Sequence, residues 1–484
     1  MKIKRIISVL VIVIVIALSI MVTRTLFTRF PTITEWTHDA SITDIPYDFD
    51  SHIARLSKGL QIPTISRMDT DQINYTEFAK FRDHIEQQYP MIFQNMDYHL
   101  IDSNAVLLIW KGSNPEKDPI LFNAHYDVVP AEDWAEAFSG EIRDGRIYGR
   151  GSIDMKGMLF ALLGGVEELI RDGFRPQRDI YFAFGHDEET HQTASKNIAA
   201  HLKEKNLTFD AIYDEGGMIN MMNINGREYG FAFVGIAEKG YLTARIKVFA
   251  DGGHSSMPNR HSAMGDAAKI IHRLESNQMP AQISPATHDM LKNFGTAHGF
   301  MMKAMIANID ILKPLVLEAL ASDPGVNAAI RTTTAITGAK GSDAENVIPE
   351  MVQIVANFRL APGDKMEDVL KHIETQTTGF NTQIEIGKVR DASNISKTDT
   401  HGFKAMMEAI KYVFPDAIVV PYTTLGGTDS RNYQELSNNI YRFLPAALTA
   451  SERDLMHAKD ENISSDNYAK MILFFKSLMK NYDD

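Results

Sequence analysis

No cysteine occurs among the 484 residues. Disulfide staples and thiolate ligands are therefore excluded, and any metal must be held by His, Asp and Glu. Cationic residues are also short: 49 Lys and Arg stand against 62 Asp and Glu, a net charge of -13. With no local basic patch to offset it, that balance argues against a nucleic-acid surface. Internal repeats are absent, and no low-complexity tract occurs beyond the amino-terminal hydrophobic segment. What remains is the composition of a folded protein, 44% hydrophobic and 23% charged, with no large disordered share. Its length exceeds one ordinary core, so two domains with accessory segments are expected.

One long hydrophobic run is present. Ile6 to Thr23 is charge-free, about 18 residues and roughly 27 Å as a helix, close to the hydrocarbon thickness of a bilayer. Lys2, Lys4 and Arg5 precede it and Arg24 and Arg29 follow it, a distribution that favours a cytoplasmic amino end and an exported body. A removed signal peptide competes, against which Ala17-Leu-Ser19 is a poor cleavage signal lying inside the run. Residues 1–30 thus read as a single membrane anchor, with the body periplasmic, vacuolar or extracellular, or else as a signal peptide of a secreted protein. Residues 31–51, polar and containing Pro31 and Pro46, read as a linker.

Beyond it, short apolar strands alternate with helices. Tyr75 to Gln88, Met155 to Arg171 and Ala194 to Glu204 have helical spacing, whereas Ala105 to Trp110, Pro119 to Asn123, Asp179 to Gly185 and Phe209 to Tyr213 are strand-like. The expectation is an α/β catalytic domain, 52–237, with a mainly parallel sheet covered by helices. From 238 to 391 the order becomes β-α-β-β-α-β, that of a ferredoxin-like α+β lid. An apolar, Met-rich helical insertion near 279–330 interrupts it, packing on the lid or forming a greasy substrate entrance. Residues 392–484 return to α/β order and complete a discontinuous catalytic domain.

Five clusters carry chemistry: Asn-Ala-His125-Tyr-Asp127, Gly-Ser-Ile-Asp154, His186-Asp187-Glu188-Glu189, Tyr-Asp214-Glu215-Gly and Leu-Met-His457. The first, third and fourth fall where a strand ends, and ligand crevices in open α/β sheets lie outside those ends. His125 offers an imidazole, with Asp127 able to fix its orientation. Asp154 suits either a carboxylate shared by two metals or a helix cap. The adjacent Glu188 and Glu189 repel unless cations or protons compensate.

Taken with Gly149-Arg150-Gly151-Ser152-x-Asp154-x-Lys156-Gly157, Gly253-His254-Ser255-Ser256 and Asp214-Glu215-Gly216-Gly217, these clusters resemble the aminoacylase, glutamate carboxypeptidase and carboxypeptidase S family of dinuclear zinc peptidases. The match covers nearly everything after about residue 50, with the motifs in the family's order. The resemblance implies two zinc ions, cobalt able to substitute: His125, Asp154 and Asp214 on one, Asp154, Glu189 and His457 on the other. It implies Glu188 as general base, Asp127 as the partner of His125, and a cis peptide at Asp154-Met155. By the same resemblance His254 donates to the oxyanion, commonly in a partner subunit's site, which implies a possible homodimer through the lid. Asn346 and Arg359 hold the substrate's carbonyl and carboxylate; independently of the resemblance, the Gly426–Arg431 loop, with Gly427 and Thr428, offers backbone donors for that carboxylate. The implied substrate is a small peptide or an N-acyl amino acid whose amide bond is split to release a free amino acid. A dipeptidase, a reversible N-acyl-amino-acid synthase/hydrolase and an inactive metal-binding scaffold are the alternatives.

Overall fold

Two strands, Ile120–His125 and Ile180–Gly185, are buried along their whole length, so both faces of the sheet they build must be covered. In the computed structural model, which describes residues 2–37 and 46–483, they lie side by side and parallel in an eight-stranded mixed sheet. From one edge its order is Asp97–Ile101, Ala105–Trp110, Ile180–Gly185, Ile120–His125, Ala211–Ile224, Ile440–Leu448, Arg227–Glu238 and Ile418–Thr424. The central strands from Ile180–Gly185 to Ile440–Leu448 run parallel. Antiparallel pairing enters towards the edges.

Phe122 anchors this core, stacking on Phe182 at 5.7 Å and on Tyr213 at 5.1 Å, with Phe475 edge-on at 6.1 Å. Helix Lys156–Arg171 is buried on nearly all sides, as expected for an apolar helix with no solvent face. Gly165 lets it approach Ser465–Asp483 closely, since a β-carbon there would lie 2.9 Å from the Ile472 carbonyl oxygen.

The chain divides into two compact units. One comprises Ile33–Ile236, Ile395–Pro421 and Thr428–Asp484, and holds the central strands of this sheet. The other comprises the residues through Thr32, Ala237–Asn394 and Tyr422–Gly427. Its four-stranded antiparallel sheet has the order Thr333–Lys340, Met351–Arg359, Tyr241–Phe249, Thr382–Arg390, the ferredoxin-like arrangement. Alternate residues of Tyr241–Phe249 and Met351–Arg359 are buried against helices Ala263–Ser276 and Met366–Thr377, forming one core around Ile246, Ile354 and Ile270.

Several boundaries differ from expectation. The strand read as ending at Tyr213 continues to Ile224 and turns through Asn225 (φ 54°) and Gly226 (φ 82°) into Arg227–Glu238, the two-residue hairpin that an Asn-Gly pair favours. The expected linker is partly structured. Trp36 donates its amide to the Glu228 carbonyl at 2.8 Å and packs its ring on Phe414, and helix Phe49–Leu60 begins before residue 51. Residues 38–45 lie outside the described residues. The insertion forms four helices, Pro285–His298, Phe300–Ala307, Ile309–Ala321 and Pro324–Ile330, with Phe300 and Met301 on the outside where helical spacing suggested inward packing.

Lys156 is buried, its Nζ donating to the carbonyls of Ile62 at 2.6 Å and Gly59 at 3.3 Å. Burial pushes its pKa down from 10.5 to about 7. Between those values the unfolded chain keeps a proton the folded chain has released, so this group makes stability rise with pH from about 7 upward. Lys156→Met should flatten that rise, measured as urea midpoints at about pH 7 and about pH 9.

Candidate metal centre

His125 ends its strand in register with Gly185, which ends the neighbouring one, so the Glu188-Glu189 loop starts level with the histidine. Parallel pairing brings Ala211–Ile224 alongside. Asp154 comes from the loop before helix Lys156–Arg171, with Gly151 at φ 89° in the left-handed region open to glycine. The Asp154-Met155 peptide is cis. His457 comes from a turn after Ala450–Arg453, itself at φ 60°.

These side chains form two triads that share one carboxylate. Oδ1 of Asp154 is 3.1 Å from His125 Nε2, which is 3.2 Å from Glu215 Oε1. Oδ2 of Asp154 is 3.0 Å from His457 Nε2, which is 3.3 Å from Glu189 Oε1. Each triad offers ligand atoms within 4.8 Å of one another. A tetrahedral zinc with bonds of about 2.0–2.2 Å spaces its ligands roughly 3.3–3.6 Å apart, close to these separations. Glu189 Oε1 is buried with no hydrogen bond although His457 is near, an orientation that fits two ligands of one ion better than a donor and its acceptor.

The triad around His125 takes Glu215 where Asp214 was expected. Successive strand residues point to opposite faces, so only one of the pair can face the site. Asp214 is the other: its Oδ1 accepts from Asn123 Nδ2 at 3.0 Å and its Oδ2 from the Ser430 amide at 2.8 Å. This commits the Ser430 amide to Asp214. The Thr428 hydroxyl caps the turn at Ser430.

A second layer fixes the first. Asp127 is fully buried; its Oδ1 lies 3.3 Å from His125 Nδ1 and accepts the Glu188 amide at 3.1 Å, while its Oδ2 accepts the Glu189 amide at 3.2 Å and the Ser66 hydroxyl at 2.7 Å. One carboxylate therefore sets both the imidazole and the loop carrying Glu188 and Glu189. Asp187 is engaged elsewhere, accepting from the amides of Thr193 and Ala194 at the start of helix Thr193–Glu204. Glu461, absent from the sequence reading, accepts amides of Gly151, Ile153 and Asp154 at 3.0, 2.9 and 3.3 Å and pairs with Arg150 at 2.5 Å. Nothing in Lys-Asp-Glu-Asn marks that role in one dimension; only the fold brings residue 461 to the Asp154 loop.

The electrostatics are those of a donor set crowded with acid. Burial, then Asp429, Glu215 and Glu189, raises the Glu188 carboxyl well above its usual range. Burial followed by Asp154 does the same to Glu215, and burial followed by Asp154 raises Glu189. His457 is lifted to about 10 by its contacts with Asp154 and Glu189. His125 is raised despite burial, through Glu215, Asp127 and Asp154. Divalent cations would satisfy the same atoms with neutral imidazoles.

His254, Asn346 and Arg359 belong to the other unit. His254 pairs with Val347 in a short ladder, and the Ser255 amide donates to the Asn346 carbonyl at 3.0 Å, so the first two are neighbours. Nδ1 of His254 accepts from the Ser256 amide at 3.1 Å, which places the ring proton on Nε2, the tautomer that can donate to a ligand. Arg359 closes its strand with the guanidinium 4.9 Å from the Tyr241 ring centre. Gly427 lies in the same unit as these three and Thr428 in the unit of the triads.

Comparison with known proteins bears on this geometry. The model of peptidase family M20/M25/M40 matches residues 121–481. Probable carboxypeptidase S-like 2 of Dictyostelium discoideum is 34% identical over 437 residues, 88% of this chain and 84% of that one. The human N-fatty-acyl-amino acid synthase/hydrolase PM20D1 is 32% identical over 437 residues, 88% and 87% of the two chains. Among solved structures, the M20 family metallo-carboxypeptidase Sso-CP2 of Sulfolobus solfataricus superposes with a TM-score of 0.63 at 20% identity, over 89% of this chain and 99% of that one; at that identity it speaks for the fold alone.

The two members of the Asp214-Glu215 pair should behave oppositely. Glu215→Gln should lower zinc content by elemental analysis with little change in urea stability. Asp214→Ala should keep the zinc and destabilise by about 1–3 kcal/mol, since it strands two buried donors. The reverse pattern would restore Asp214 as the ligand.

Proposed function

The chain belongs to peptidase family M20/M25/M40, and from that premise we propose that its reaction is hydrolysis of an amide bond that frees an amino acid, a carboxypeptidase or N-acyl-amino-acid amidohydrolase activity. The observation that carries this reading is the pair of triads sharing Asp154, with Glu188 beside them. His125, Asp154 and Glu215 would hold one zinc, and Asp154, Glu189 and His457 a second. Bound there, two ions would supply a water of pKa about 7 and a clamp for the developing oxyanion.

The rest is the work of the chain. Glu188 is next to the ligand Glu189 and accepts from Gln192 Nε2 at 2.8 Å through Oε1. It takes the proton of the attacking water and returns it to the departing nitrogen, so one carboxyl serves as base and then as acid. Asp127 keeps His125 and the Glu188 loop aligned. His254 supplies an N–H to the oxyanion, from the same chain or from a second copy in a homodimer, and Asn346 orients the carbonyl. Arg359 suits a free carboxylate by its planar pair of donors. The proton shuttle is symmetric, so the same groups serve condensation of a fatty acid with an amino acid when concentrations favour it; the name of the human relative supports that second direction.

Helix Lys2–Phe27, apolar enough to cross a membrane over Leu10–Phe27, supports an anchored enzyme with its body exported.

Chelation should abolish hydrolysis of N-acyl amino acids and Gly-X dipeptides, and zinc should restore it. Glu188→Gln should cut kcat by about 10²–10⁴-fold with metal content unchanged; a fully active variant removes Glu188 as the base. Arg359→Ala should lower kcat/KM for substrates with a free carboxylate far more than for their amides, and equal losses on both would release Arg359 from that role.

A further inference from the structure

Helices Phe300–Ala307 and Ile309–Ala321 are among the most apolar in the chain, yet only Ile306 and Val316 within them are buried. Phe300 is 53% exposed, Met301 74%, Ile311 52% and Leu315 65%. An apolar helix with so little burial has the composition of a segment in contact with something other than water.

The surroundings indicate what. Asn308, between the two helices and itself buried, donates through Nδ2 to the Met21 carbonyl at 3.1 Å and to the Thr25 hydroxyl at 3.3 Å. Arg24 makes a two-pronged pair with Asp310 at 2.8 and 3.0 Å. The Lys303 ammonium lies 5.6 Å from the Phe30 ring centre. The insertion is thus clamped to the amino-terminal helix at residues 21–30, the carboxyl-terminal end of the apolar window Leu10–Phe27. That is the depth at which a spanning helix leaves hydrocarbon for headgroups. Lys303 and Lys313 on the insertion and Arg29 just past the window supply the cations that an anionic headgroup layer attracts.

We propose that Phe300–Ala307 and Ile309–Ala321 form a membrane-docking platform: they lie in the headgroup layer of the leaflet where the anchor emerges, with Phe300, Met301, Ile311 and Leu315 in the acyl chains. The occupant of this apolar face is the bilayer surface, to which it is joined through the anchor. The proposal rests on the reading of Lys2–Phe27 as a membrane span.

The cysteine-free chain allows a direct test. Four full-length variants, Ile14→Cys, Met301→Cys, Leu315→Cys and Met68→Cys, are each labelled with an environment-sensitive fluorophore and reconstituted into phosphatidylcholine vesicles containing phosphatidylglycerol. Ile14 reports the span, and Met68, 70% exposed in the other unit, reports water. Labels at 301 and 315 should shift to the blue and be quenched by nitroxides placed shallowly in the lipid, matching burial of about 5–10 Å, with little quenching at 68. Quenching at 14 but water-like emission at 301 and 315 would overturn the platform and leave the anchor standing. Water-like emission at 14 as well would overturn both. A blue shift at 301 and 315 without lipid quenching would mean that a second copy or an acyl ligand covers the face, and would also overturn the proposal.

Discussion

A single carboxylate holds the candidate centre together. Asp154 turns one oxygen to His125 and the other to His457, residues far apart in the chain. Neither triad exists without it. Holding that carboxylate in place occupies Glu461, which ties down the amides from Gly151 to Asp154 and is clamped in turn by Arg150. The discontinuous domain follows from the same requirement, since the segment bearing His457 and Glu461 must return to the sheet after the lid has been inserted.

Much of this was legible in one dimension because hydrophobic periodicity is strong where elements are buried. The helix at Tyr75–Gln88 and the strand at Ala105–Trp110 end where their patterns do. The lid's order of strands and helices was equally readable, since its alternation reports a sheet with one covered face. Less visible were features whose signal is a contact. The choice between Asp214 and Glu215 depends on which face of a strand meets Asn123 and Ser430. Glu461 is an ordinary acid until the fold places it under a loop three hundred positions away. The Asn225-Gly226 turn is a different case: a hairpin signal was present, and the long strand it joins simply continued past the apolar run.

The insertion shows the limit of reading apolarity as burial. Met and Phe at helical spacing usually mean a core, and Phe294–Ile309 has that spacing. The insertion also holds the amino-terminal helix against itself, through Asn308 and the Arg24–Asp310 pair. Two segments that look independent in sequence are one structural element.

The span between Asp154 and His457 also governs how the protein comes into being. A chain made from its amino end has its lid and most of its sheet complete while the last donor and the acid that braces the Asp154 loop are still unmade. The triad of Asp154, Glu189 and His457 is therefore the last part of the candidate centre to be completed.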